Sequence, residues 1–461
     1  LGITSALAGS VRNVQTSGKI TASNLTSGAV FIGGIVGTNA STVAGVSGTP
    51  VLTNARCIIK DAVSKVDITA SGSTNIYAGG IAGYVENSTI ENCYTKTDIK
   101  AEDEFAGGIA GKITGTSNIN NCYALFNRGD EIRAEKYTGG ITGYIEGGTV
   151  ENCYSSFEVY ADNYTGGISG YLSNDSDGNT GRITNCYTTA SVDTYEDNSI
   201  YQGGIAAFAE EETEISNCVY MGEEICSENY TTENIYMNRI ANIEENTVLN
   251  NNYAWEGTAL KYDYDKAIEV TDKGTDKANG ADIKYSDGKL DKQFSEIFTG
   301  GNWTFEENKL PVLNMGTEET SDIPEYMTGY IPSYGEEYKF EGEGTEQNPY
   351  IISSLKDLEG LRDNVNNKRK TYEGKFFKQT ADIDMSELEY WYSIGYDFGS
   401  ASYYFKGTYD GDNHKISNMY TSSNYNRDNW GFFRDIEGTV KNLTLENCEV
   451  ENSSGVEMAG S

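Results

Sequence analysis

Five cysteines recur at nearly even spacing, and their thiols have the most versatile chemistry in the chain. They are Cys93, Cys122, Cys153, Cys186 and Cys218, and neighbouring members lie 29 to 33 residues apart. A zinc site needs ligands that converge from short local spacings, and the sequence contains no CxxC pair. Parallel side chains in a stacked column would also be poorly placed for disulfides. We therefore predict a buried column of reduced, structural thiols with no metal bound.

His414 is the only histidine, so every histidine-dependent mechanism would rest on it. A zinc protease of the HExxH type needs two histidines one helical turn apart, which this sequence cannot supply. Serine and cysteine hydrolases would need His414 as their base, but it lies in the stretch DGDNHKI, which is typical of a turn entering a strand. We interpret His414 as a surface residue and predict that the chain has no catalytic residues.

Carboxylates dominate the charge, because 69 Asp and Glu against 34 Lys and Arg give a net charge of −35. This balance argues against nucleic acid and anionic membranes as partners. No run of 18 apolar residues exists that could insert into a membrane. Paired carboxylates on neighbouring repeats could serve glycoside hydrolysis, but no pair stands out. The acidic candidates are Glu86, Glu91, Asp98, Glu146, Glu151 and Glu158.

Residues 174–179, NDSDGN, resemble the start of a calcium-binding loop but lack the distal glutamate of an EF-hand. An Asp- and Gly-rich turn is the simpler interpretation. We predict no cofactor, with calcium as the alternative that the sequence leaves open.

Aromatic residues form the best candidate binding site. Four of them share one position of the repeat, with Lys112 interrupting the row: Tyr84, Tyr144, Tyr171 and Phe208. A second outward position holds Tyr94, Tyr123, Tyr154 and Tyr187. Flat aromatic rows can bind sugar rings or proteins, and they can equally stack on one another to stiffen a sheet. We predict the first row as the binding surface, with host glycoprotein or glycan as the candidate ligand.

A repeated unit of about thirty residues must position these side chains. It appears at residues 77–95, 105–124, 137–155, 164–188 and 201–220. Such a period indicates a solenoid. Each unit holds three short alternating runs separated by turn residues, which in the second coil are residues 80–85, 89–95 and 97–101. The pattern predicts an all-β fold, a right-handed parallel β-helix with three strands per coil.

Strand alternation predicts which side chains face the core. Ile81, Gly83 and Val85 should face inward, and Ala82 and Tyr84 outward. Ile90 and Cys93 both look internal but are three residues apart, so the chain must bend at Asn92, which tolerates a positive φ. The asparagine recurs at one position in each coil, where the side chains could form an amide ladder. Its members are Asn92, Asn121, Asn152, Asn185 and Asn217.

The motif GGIxG followed by xIxNCY resembles the GLUG-motif repeats, over roughly residues 1–254 and again over 346–461. These repeats occur in large bacterial surface proteins and in the non-catalytic regions of IgA-specific metalloendopeptidases. The resemblance implies a secreted or cell-wall-attached, extracellular protein. It also implies that the W…LPVL stretch closes the β-helix.

The pattern divides the chain into four parts. Residues 1–254 are the first β-helix, 255–315 its C-terminal cap over the open strand edges, 316–345 an acidic linker, and 346–461 the start of a second β-helix. Leu355, Leu358, Leu361 and Val365 predict an amphipathic helix that covers the second β-helix, and Ser354 with Asp357 predicts its capping box.

The second module also repeats the first. Residues 431–443 match residues 2–14 at a constant offset of 429. We therefore expect further copies of the module in tandem in the same chain, each roughly 430 residues long.

Three functions fit these observations. The first is a non-enzymatic stalk or adhesin on a bacterial surface that binds host glycoprotein or glycan. The second is the substrate-positioning, non-catalytic region of a large surface metalloprotease. The third is a polysaccharide lyase or hydrolase, for which only the fold analogy and the plentiful carboxylates speak.

Overall fold

A computed structural model describes most of the chain. The described residues are 3–6, 9–25, 28–39, 57–72, 75–125, 130–156, 158–194, 200–227, 234–262, 266–286, 288–315, 322–328, 338–366, 370–386, 388, 391–395, 404–422, 431–434 and 436–451. They form two compact units, Leu1–Pro324 and Glu325–Ser461. The boundary falls inside the predicted linker, of which residues 316–321 and 329–337 lie outside the described part.

The first unit is built from four parallel sheets, and successive coils add one layer to each sheet. Sheet 1 contains Val30–Gly33, Ile76–Gly79, Phe105–Gly107, Tyr137–Gly139, Tyr164–Gly166, Ile200–Gly203 and Ile235–Asn238. Sheet 2 contains Ile3–Ala6, Val36–Asn39, Ala82–Glu86, Ala110–Thr114, Thr142–Glu146, Ser169–Ser173, Ala206–Ala209 and Ala241–Ile243. Sheet 3 contains Gly9–Arg12, Cys57–Lys60, Thr89–Glu91, Asn118–Asn120, Thr149–Glu151, Arg182–Thr184, Glu214–Ser216 and Val248–Asn250.

Sheet 4 begins with two long strands, Gln15–Leu25 and Val63–Gly72, and in later coils each strand is replaced by two short ones. The first halves are Tyr94–Lys96, Tyr123–Leu125, Tyr154–Ser155, Tyr187–Thr188, Val219–Tyr220, Tyr253–Trp255 and Ala281–Ile283. The second halves are Ile99–Ala101, Glu131–Arg133, Glu158–Tyr160, Val192–Thr194, Glu224–Ser227 and Ala259–Tyr262, followed by antiparallel Lys266–Ile268. This repeating parallel architecture is the predicted β-helix solenoid.

Each regular coil has five short strands where the sequence predicts three runs. In the second coil, Ile76–Gly79 precedes the first predicted run, and the second run divides at Asn92 into Thr89–Glu91 and Tyr94–Lys96. Asn92 has a φ of 52°, which confirms the predicted bend. A left-handed residue turns the chain sharply, so the pairing on one side of it cannot continue unbroken on the other.

A Gly-Gly-Ile corner joins sheets 1 and 2 in each regular coil. A Cβ atom on Gly108 would lie 2.2 Å from the carbonyl oxygen of Gly140 in the next coil, so only glycine fits. Ile81 and Val85 are fully buried as predicted, but the prediction for Ala82 is wrong, because Ala82 is fully buried too. The corner interrupts the strand before Ala82, so the alternation does not run through it.

Aliphatic side chains from successive coils form the core in columns. In sheet 3 the register aligns Ile90 with Ile119, Val150, Ile183 and Ile215, and all five are fully buried. Complete burial of such a side chain contributes about 1.5–3 kcal/mol. Because each residue packs against its counterparts above and below, the coils stabilise one another as in other solenoids.

The last coil of this unit is covered by residues 271–283. Ile240 and Ala241 both donate backbone hydrogen bonds to the carbonyl of Ala278, and Asn252 donates to that of Thr275. Arg239, which is fully buried, replaces the second glycine of the corner. Its guanidinium contacts three backbone carbonyls and lies 2.8 Å from the carboxylate of Asp282. A buried arginine therefore satisfies polar groups where no further coil of this kind follows.

The rest of the predicted cap does not cover the end of the β-helix. Residues 294–313, which we call the lateral segment, run along the side of the coils instead. They comprise a 3-10 helix, Phe294–Glu296, and an antiparallel strand pair, Trp303–Thr304 with Val312–Leu313. A small hairpin, Tyr285–Ser286 with Lys289–Leu290, precedes them.

The second unit has the same parallel pattern with a helix added. Its sheets contain Tyr350–Ile352, Phe376–Gln379, Thr408–Asp410 and Thr439–Lys441; then Ile383–Asp384, Lys415–Ser417 and Thr444–Glu446; and then Tyr420–Ser422 with Glu449–Glu451. A short helix, α1, spans Glu325–Thr328. The predicted helix, α2, spans Leu355–Asn366, and its Leu358, Leu361 and Val365 are fully buried in the core. Part of the predicted linker belongs to this unit, since Tyr338 bonds to Asn364 of α2.

The predicted pair of Ser354 and Asp357 caps α2, but the backbone amide that bonds back to the carboxylate is that of Ser353 rather than Ser354. The amide of Asp357 donates to the hydroxyl of Ser354 at 3.3 Å, and the Asp357 carboxylate accepts bonds from Ser353 and Ser354. The match between the two modules extends to the backbone, because Asn442 (φ 53°) and Asn13 (φ 52°) are 429 residues apart.

Candidate binding surface

The predicted aromatic row forms one straight line on the outer face of sheet 2. The strand register aligns the row members coil by coil, and each side chain is half-buried. This sheet 2 row consists of Tyr84, Lys112, Tyr144, Tyr171 and Phe208.

A second row, on sheet 1, lies directly beside it and was not predicted from the sequence. It consists of Phe31, Tyr77, Phe105, Tyr137, Tyr164, Tyr201 and Tyr236, each two residues before the first corner position. That constant offset from the glycine pair is the signal that could have revealed it. Where one coil carries a ring in both rows, the two ring centroids lie 5.1–5.8 Å apart.

The rings of the sheet 1 row stack on one another along the coils. From Tyr77 to Tyr236 the centroids of neighbours are 4.6–5.2 Å apart, and their planes differ by 3–23°. Their flat faces are therefore occupied by neighbours, so the ring edges are what they can offer to solvent. This row acts mainly as a ladder that stiffens the sheet.

Most rings of the sheet 2 row are steeply inclined to the neighbouring rings of the sheet 1 row. Tyr171 is inclined by 79° to Tyr164, Phe208 by 77° to Tyr201, and Tyr84 by 81° to Tyr77. These three rings do not join the stack of the sheet 1 row, although Tyr171 and Phe208 stack on each other at 27° and so cover one face of each ring. They are the members of the predicted row with ring faces suited to contact a ligand.

Tyr144 behaves differently. Its plane is within 18° of that of Tyr137, so it joins the ladder. The ammonium group of Lys112 lies 4.4 Å from its ring centroid and 3.1 Å from the carboxylate of Glu146. One of the four predicted binding residues is thus already occupied by a cation from the protein itself.

Hydrogen bonds to the next coil fix the tyrosine hydroxyls of the sheet 2 row. Tyr84 is 3.2 Å from the hydroxyl of Thr114, and Tyr171 donates to the carboxylate of Glu210 at 2.9 Å. Burial raises the pKa of Tyr144 to about 12. Burial, followed by the Glu210 carboxylate, also raises the pKa of Tyr171. These phenols therefore stay neutral at ordinary pH and hold the rings in fixed orientations.

Most of the sheet 4 row is buried, contrary to the prediction that it faces outward, and only Tyr94 is half-buried. Tyr94, Tyr123, Tyr154 and Tyr187 stack at 4.8–5.0 Å. Tyr154 and Tyr187 are almost fully buried, and Trp303 of the lateral segment lies 6.0 and 5.9 Å from their rings. The lateral segment packs here because the aromatic column offers it an apolar surface to bury.

The five cysteines form a buried column, and no disulfide joins the cysteines in the described part of the chain. The thiol of Cys153 is 3.1 Å from the carbonyl oxygen of Glu151, and the amide of Cys93 donates to the sulfur of Cys122 at 3.4 Å. Burial raises the pKa of Cys93, Cys153 and Cys218. Such thiols pack as small apolar groups and are poor nucleophiles.

The five asparagines all adopt the left-handed conformation, with φ of 50–53°. Their amides form only part of a ladder: Asn185 donates to Asn152, but Asn152 donates to Asn120 rather than to Asn121. Several also bind the lateral segment. Asn217 donates to the hydroxyl of Thr299, and the amide of Thr299 donates to Asn185 at 3.1 Å. The asparagines therefore turn each coil and anchor the lateral segment.

Most acidic candidates are separated or neutralised by their neighbours. The register places Thr114 between Glu86 and Glu146, and Asn120 between Glu91 and Glu151. This alternation keeps like charges apart in the stacked coils. Asp98 is 3.1 Å from the ammonium of Lys100, and Glu158 is the one candidate stacked on another carboxylate, that of Glu131.

The remaining candidates have structural surroundings. Residues 174–179 form the predicted Asp- and Gly-rich turn: the amide of Asp177 donates to the Asp175 carboxylate, as in an Asx-turn, and both carboxylate oxygens of Asp175 accept hydrogen bonds from Asn179. His414 lies in a turn just before the strand Lys415–Ser417, as predicted, and its Nδ1 is 3.1 Å from Asp382. Within the described ranges, no group of three or more metal-ligating side chains is arranged to hold a metal ion. No helix in those ranges is long and apolar enough to cross a membrane.

The repeats are similar to segments of known proteins. The GLUG motif matches residues 74–99 and 134–160. Halomucin from Haloquadratum walsbyi is 32% identical over 130 residues, which are 25% of this chain and 1% of halomucin. A crystal structure of a candidate immunoglobulin A1 protease from Bacteroides ovatus is 16% identical, with a TM-score of 0.37, over 65% of this chain and 87% of that one.

The chain spans only a small fraction of the length of halomucin. The sequence pattern, the stacked corners and the motif match agree on the type of repeat. Two stretches of the chain match the GLUG motif, and the chain has the fold of a parallel β-helix solenoid.

Proposed function

We propose that this chain is a non-catalytic, extracellular bacterial repeat protein, a rigid stalk or adhesin that binds host glycoprotein or glycan along the sheet 2 row. Parallel ladders that run through every coil make the first unit a stiff support. The GLUG motif and the halomucin match support a surface location. The net charge of −35 is compatible with a soluble, secreted surface.

The orientation of Tyr171 and Phe208 carries this proposal. Sugars contact aromatic side chains through the flat face of the ring, so a binding ring needs a face that no neighbouring ring covers. Tyr171 and Phe208 stand across the sheet 1 row, and in adjacent coils they stack on each other with centroids 5.4 Å and planes 27° apart. One face of each ring is therefore covered, and the opposite face lies outside this stack. Their backbone positions are fixed by parallel pairing, so a ligand would find the two rings already placed.

An array of glycans and glycoproteins, probed with the full chain, tests the proposal. We expect the double variant Tyr171→Ala/Phe208→Ala to lose about tenfold or more in affinity for the best ligand, since each aromatic contact contributes about 0.5–1.5 kcal/mol. Tyr160→Ala, which removes a tyrosine from sheet 4, is the matched control and should bind normally. Absence of binding over broad arrays, or equal loss in both variants, would contradict the proposal.

Assays on the same full chain distinguish a stalk or adhesin from the two other candidate functions. Release of reducing ends or unsaturated sugars from a polysaccharide would identify a carbohydrate-active enzyme. Binding restricted to the substrate of a linked protease domain would identify a substrate-positioning region. A stalk or adhesin should bind without any turnover.

A further inference from the structure

The lateral segment lies on the coils without joining any of their sheets. In the described part of the chain, its strands Trp303–Thr304 and Val312–Leu313 pair only with each other, and no backbone group of residues 294–313 bonds to a backbone group of the coils. Contacts that involve side chains hold the segment in place. Because it lacks the sheet hydrogen bonds that join the coils, the segment can open locally at a lower free energy than the β-helix itself.

Asparagine side chains at the coil corners bind the main chain of this segment. Asn251 donates a hydrogen bond of 3.1 Å to the carbonyl oxygen of Ile297. The amide of Asn302 donates to the side chain of Asn121, four corners earlier in the same column, at 3.4 Å. Five residues of extended chain reach about 17 Å, close to the roughly 19 Å between corners four coils apart. The column thus recognises an extended backbone, as sites for extended peptides do.

Aromatic side chains anchor the segment beside the column. The anchors are three almost fully buried residues, Phe294, Phe298 and Trp303. All three pack against the ring of Tyr187. A Cβ atom on Gly301 would lie 2.5 Å from the side-chain oxygen of Asn152, so a glycine is required where the main chain passes this corner. The segment therefore combines aromatic anchors with an extended, glycine-containing stretch.

The column of corners continues beyond the segment. Asn13, Asp61 and Asn92 occupy the same corner in the preceding coils, with φ of 52–53°. Asn13 and Asp61 are exposed. The segment does not follow them, because after Asn302 its strand pair turns the chain back towards Pro311. A peptide that stayed extended would therefore meet corner side chains that the segment does not use.

We propose that the asparagine column and the sheet 4 row form a binding groove for an extended peptide of a partner protein, and that the lateral segment occupies it as an intramolecular competitor. The partner peptide carries aromatic anchors around a glycine-containing stretch and continues to Asn92 and Asp61. These additional contacts favour the partner, whereas tethering gives the segment a high effective concentration. The groove is therefore closed until the segment is loosened or displaced. This inference goes beyond the proposed function and does not depend on glycan binding.

A labelled peptide of residues 294–313, added to the full chain and followed by fluorescence anisotropy, tests the groove. Trp303→Ala in the chain loosens its own segment but leaves the groove intact. We therefore expect this variant to bind the peptide at least tenfold more tightly than the unmodified chain does. Leu313→Ala, which truncates a side chain that is 3% exposed, should act in the same direction. Phe305→Ala is the matched control, because Phe305 is largely exposed and its loss should leave the groove closed.

Two altered peptides test what the groove recognises. A peptide with Phe298→Ala and Trp303→Ala lacks two anchors and should bind the Trp303→Ala chain at least tenfold more weakly. A peptide with four serines in place of residues 305–313 keeps the anchors and can remain extended towards Asn92. Adding Asn92→Gly to the Trp303→Ala chain should weaken binding of this peptide about fivefold, the value of one hydrogen bond. Asn87→Gly, at a different corner with a φ of 47°, is the control and should have no effect.

The chain variants decide the proposal if they are folded, as circular dichroism will show. Leu313→Ala carries the test if Trp303→Ala does not fold. If the folded variants bind the peptide no better than the unmodified chain, or bind a scrambled peptide equally well, the groove is only an internal packing surface and the proposal is wrong. Unchanged binding of the serine-extended peptide after Asn92→Gly would overturn the extension past Asn302.

Discussion

The hydroxyl of Tyr187 donates a hydrogen bond of 2.8 Å to the carbonyl oxygen of Pro311, 124 residues later in the chain. This contact fastens the end of the lateral segment to the middle of the β-helix. Phe294, Phe298 and Trp303 pack around the same tyrosine, with ring centroids 5.4–6.5 Å away. The segment is therefore part of the folded unit, and it shields the aromatic column of sheet 4.

Loss of Trp303 should loosen the lateral segment. We expect Trp303→Ala to lower the free energy of unfolding by about 3 kcal/mol, because the indole is buried against Tyr154 and Tyr187. Phe305→Ala is the control, since Phe305 is 39% exposed and should cost less than about 1 kcal/mol. Chemical denaturation gives both values. Similar values for the two variants would show that the segment is not held by this contact.

The asparagine corners should tolerate glycine better than alanine. Asn185 has a φ of 50°, donates to Asn152 and accepts from Thr299. Asn185→Ala loses the side-chain hydrogen bonds to Asn152 and Thr299 and strains the backbone, for about 2–4 kcal/mol in all, whereas Asn185→Gly loses only the hydrogen bonds.

Asn92 provides the comparison for this series. Its amide donates to Asp61 at an exposed position, so Asn92→Gly should be milder than Asn185→Gly. Thermal unfolding of the three variants should therefore rank Asn185→Ala as the most damaging and Asn92→Gly as the least. The reverse order for the two Asn185 variants would mean that φ does not govern this position.

The glycine corner should be intolerant of any side chain. A Cβ atom on Gly108 would lie 2.2 Å from one backbone oxygen and 2.6 Å from the side chain of Ala124. Gly108→Ala should therefore cost about 3 kcal/mol or more, or prevent folding. Gly178→Ala is a suitable control, because the Cβ there meets nothing within 4 Å and only the positive φ is unfavourable. Soluble yield and circular dichroism report on both variants.

Structural features that recur in every coil could be predicted from the sequence, whereas features that occur at a single place in the fold could not. The period of the cysteines, the positive φ at Asn92 and the helical face of Leu358 follow from local rules of spacing, turns and amphipathicity. The path of the lateral segment does not, because it depends on contacts such as Tyr187 with Pro311 between distant parts of the chain. Arg239 replaces a glycine only where the regular coils stop, so no periodic pattern announces it.

For a similar reason, the sequence predicted which residues form the sheet 2 row but not how their rings are oriented. Spacing identifies Tyr84, Tyr144, Tyr171 and Phe208 as one row, but the orientation of each ring depends on its neighbours. The inclination of Tyr171 to Tyr164 and the position of Lys112 over Tyr144 are properties of the packed side chains. They decide which members of the row can contact a ligand.

The buried thiols whose pKa is raised, those of Cys93, Cys153 and Cys218, should make the fold sensitive to alkaline pH. Burial raises the pKa of Cys153, whereas an unfolded chain ionises the same thiol near pH 8.5. Above that pH the unfolded state binds fewer protons than the folded state, so stability falls as pH rises, until the folded pKa is reached. Each such thiol contributes a loss of at most about 1.4 kcal/mol per pH unit in that range.

Denaturation midpoints between pH 7 and 10.5 measure this effect. We expect the midpoint to be nearly constant up to about pH 8 and then to fall. Cys153→Ala should make the decline less steep, because one proton fewer separates the folded and unfolded states. Cys448→Ala is the control, since Cys448 is half-exposed and lies outside the column. An identical slope for the wild type and Cys153→Ala would show that the buried thiols do not set the alkaline limit.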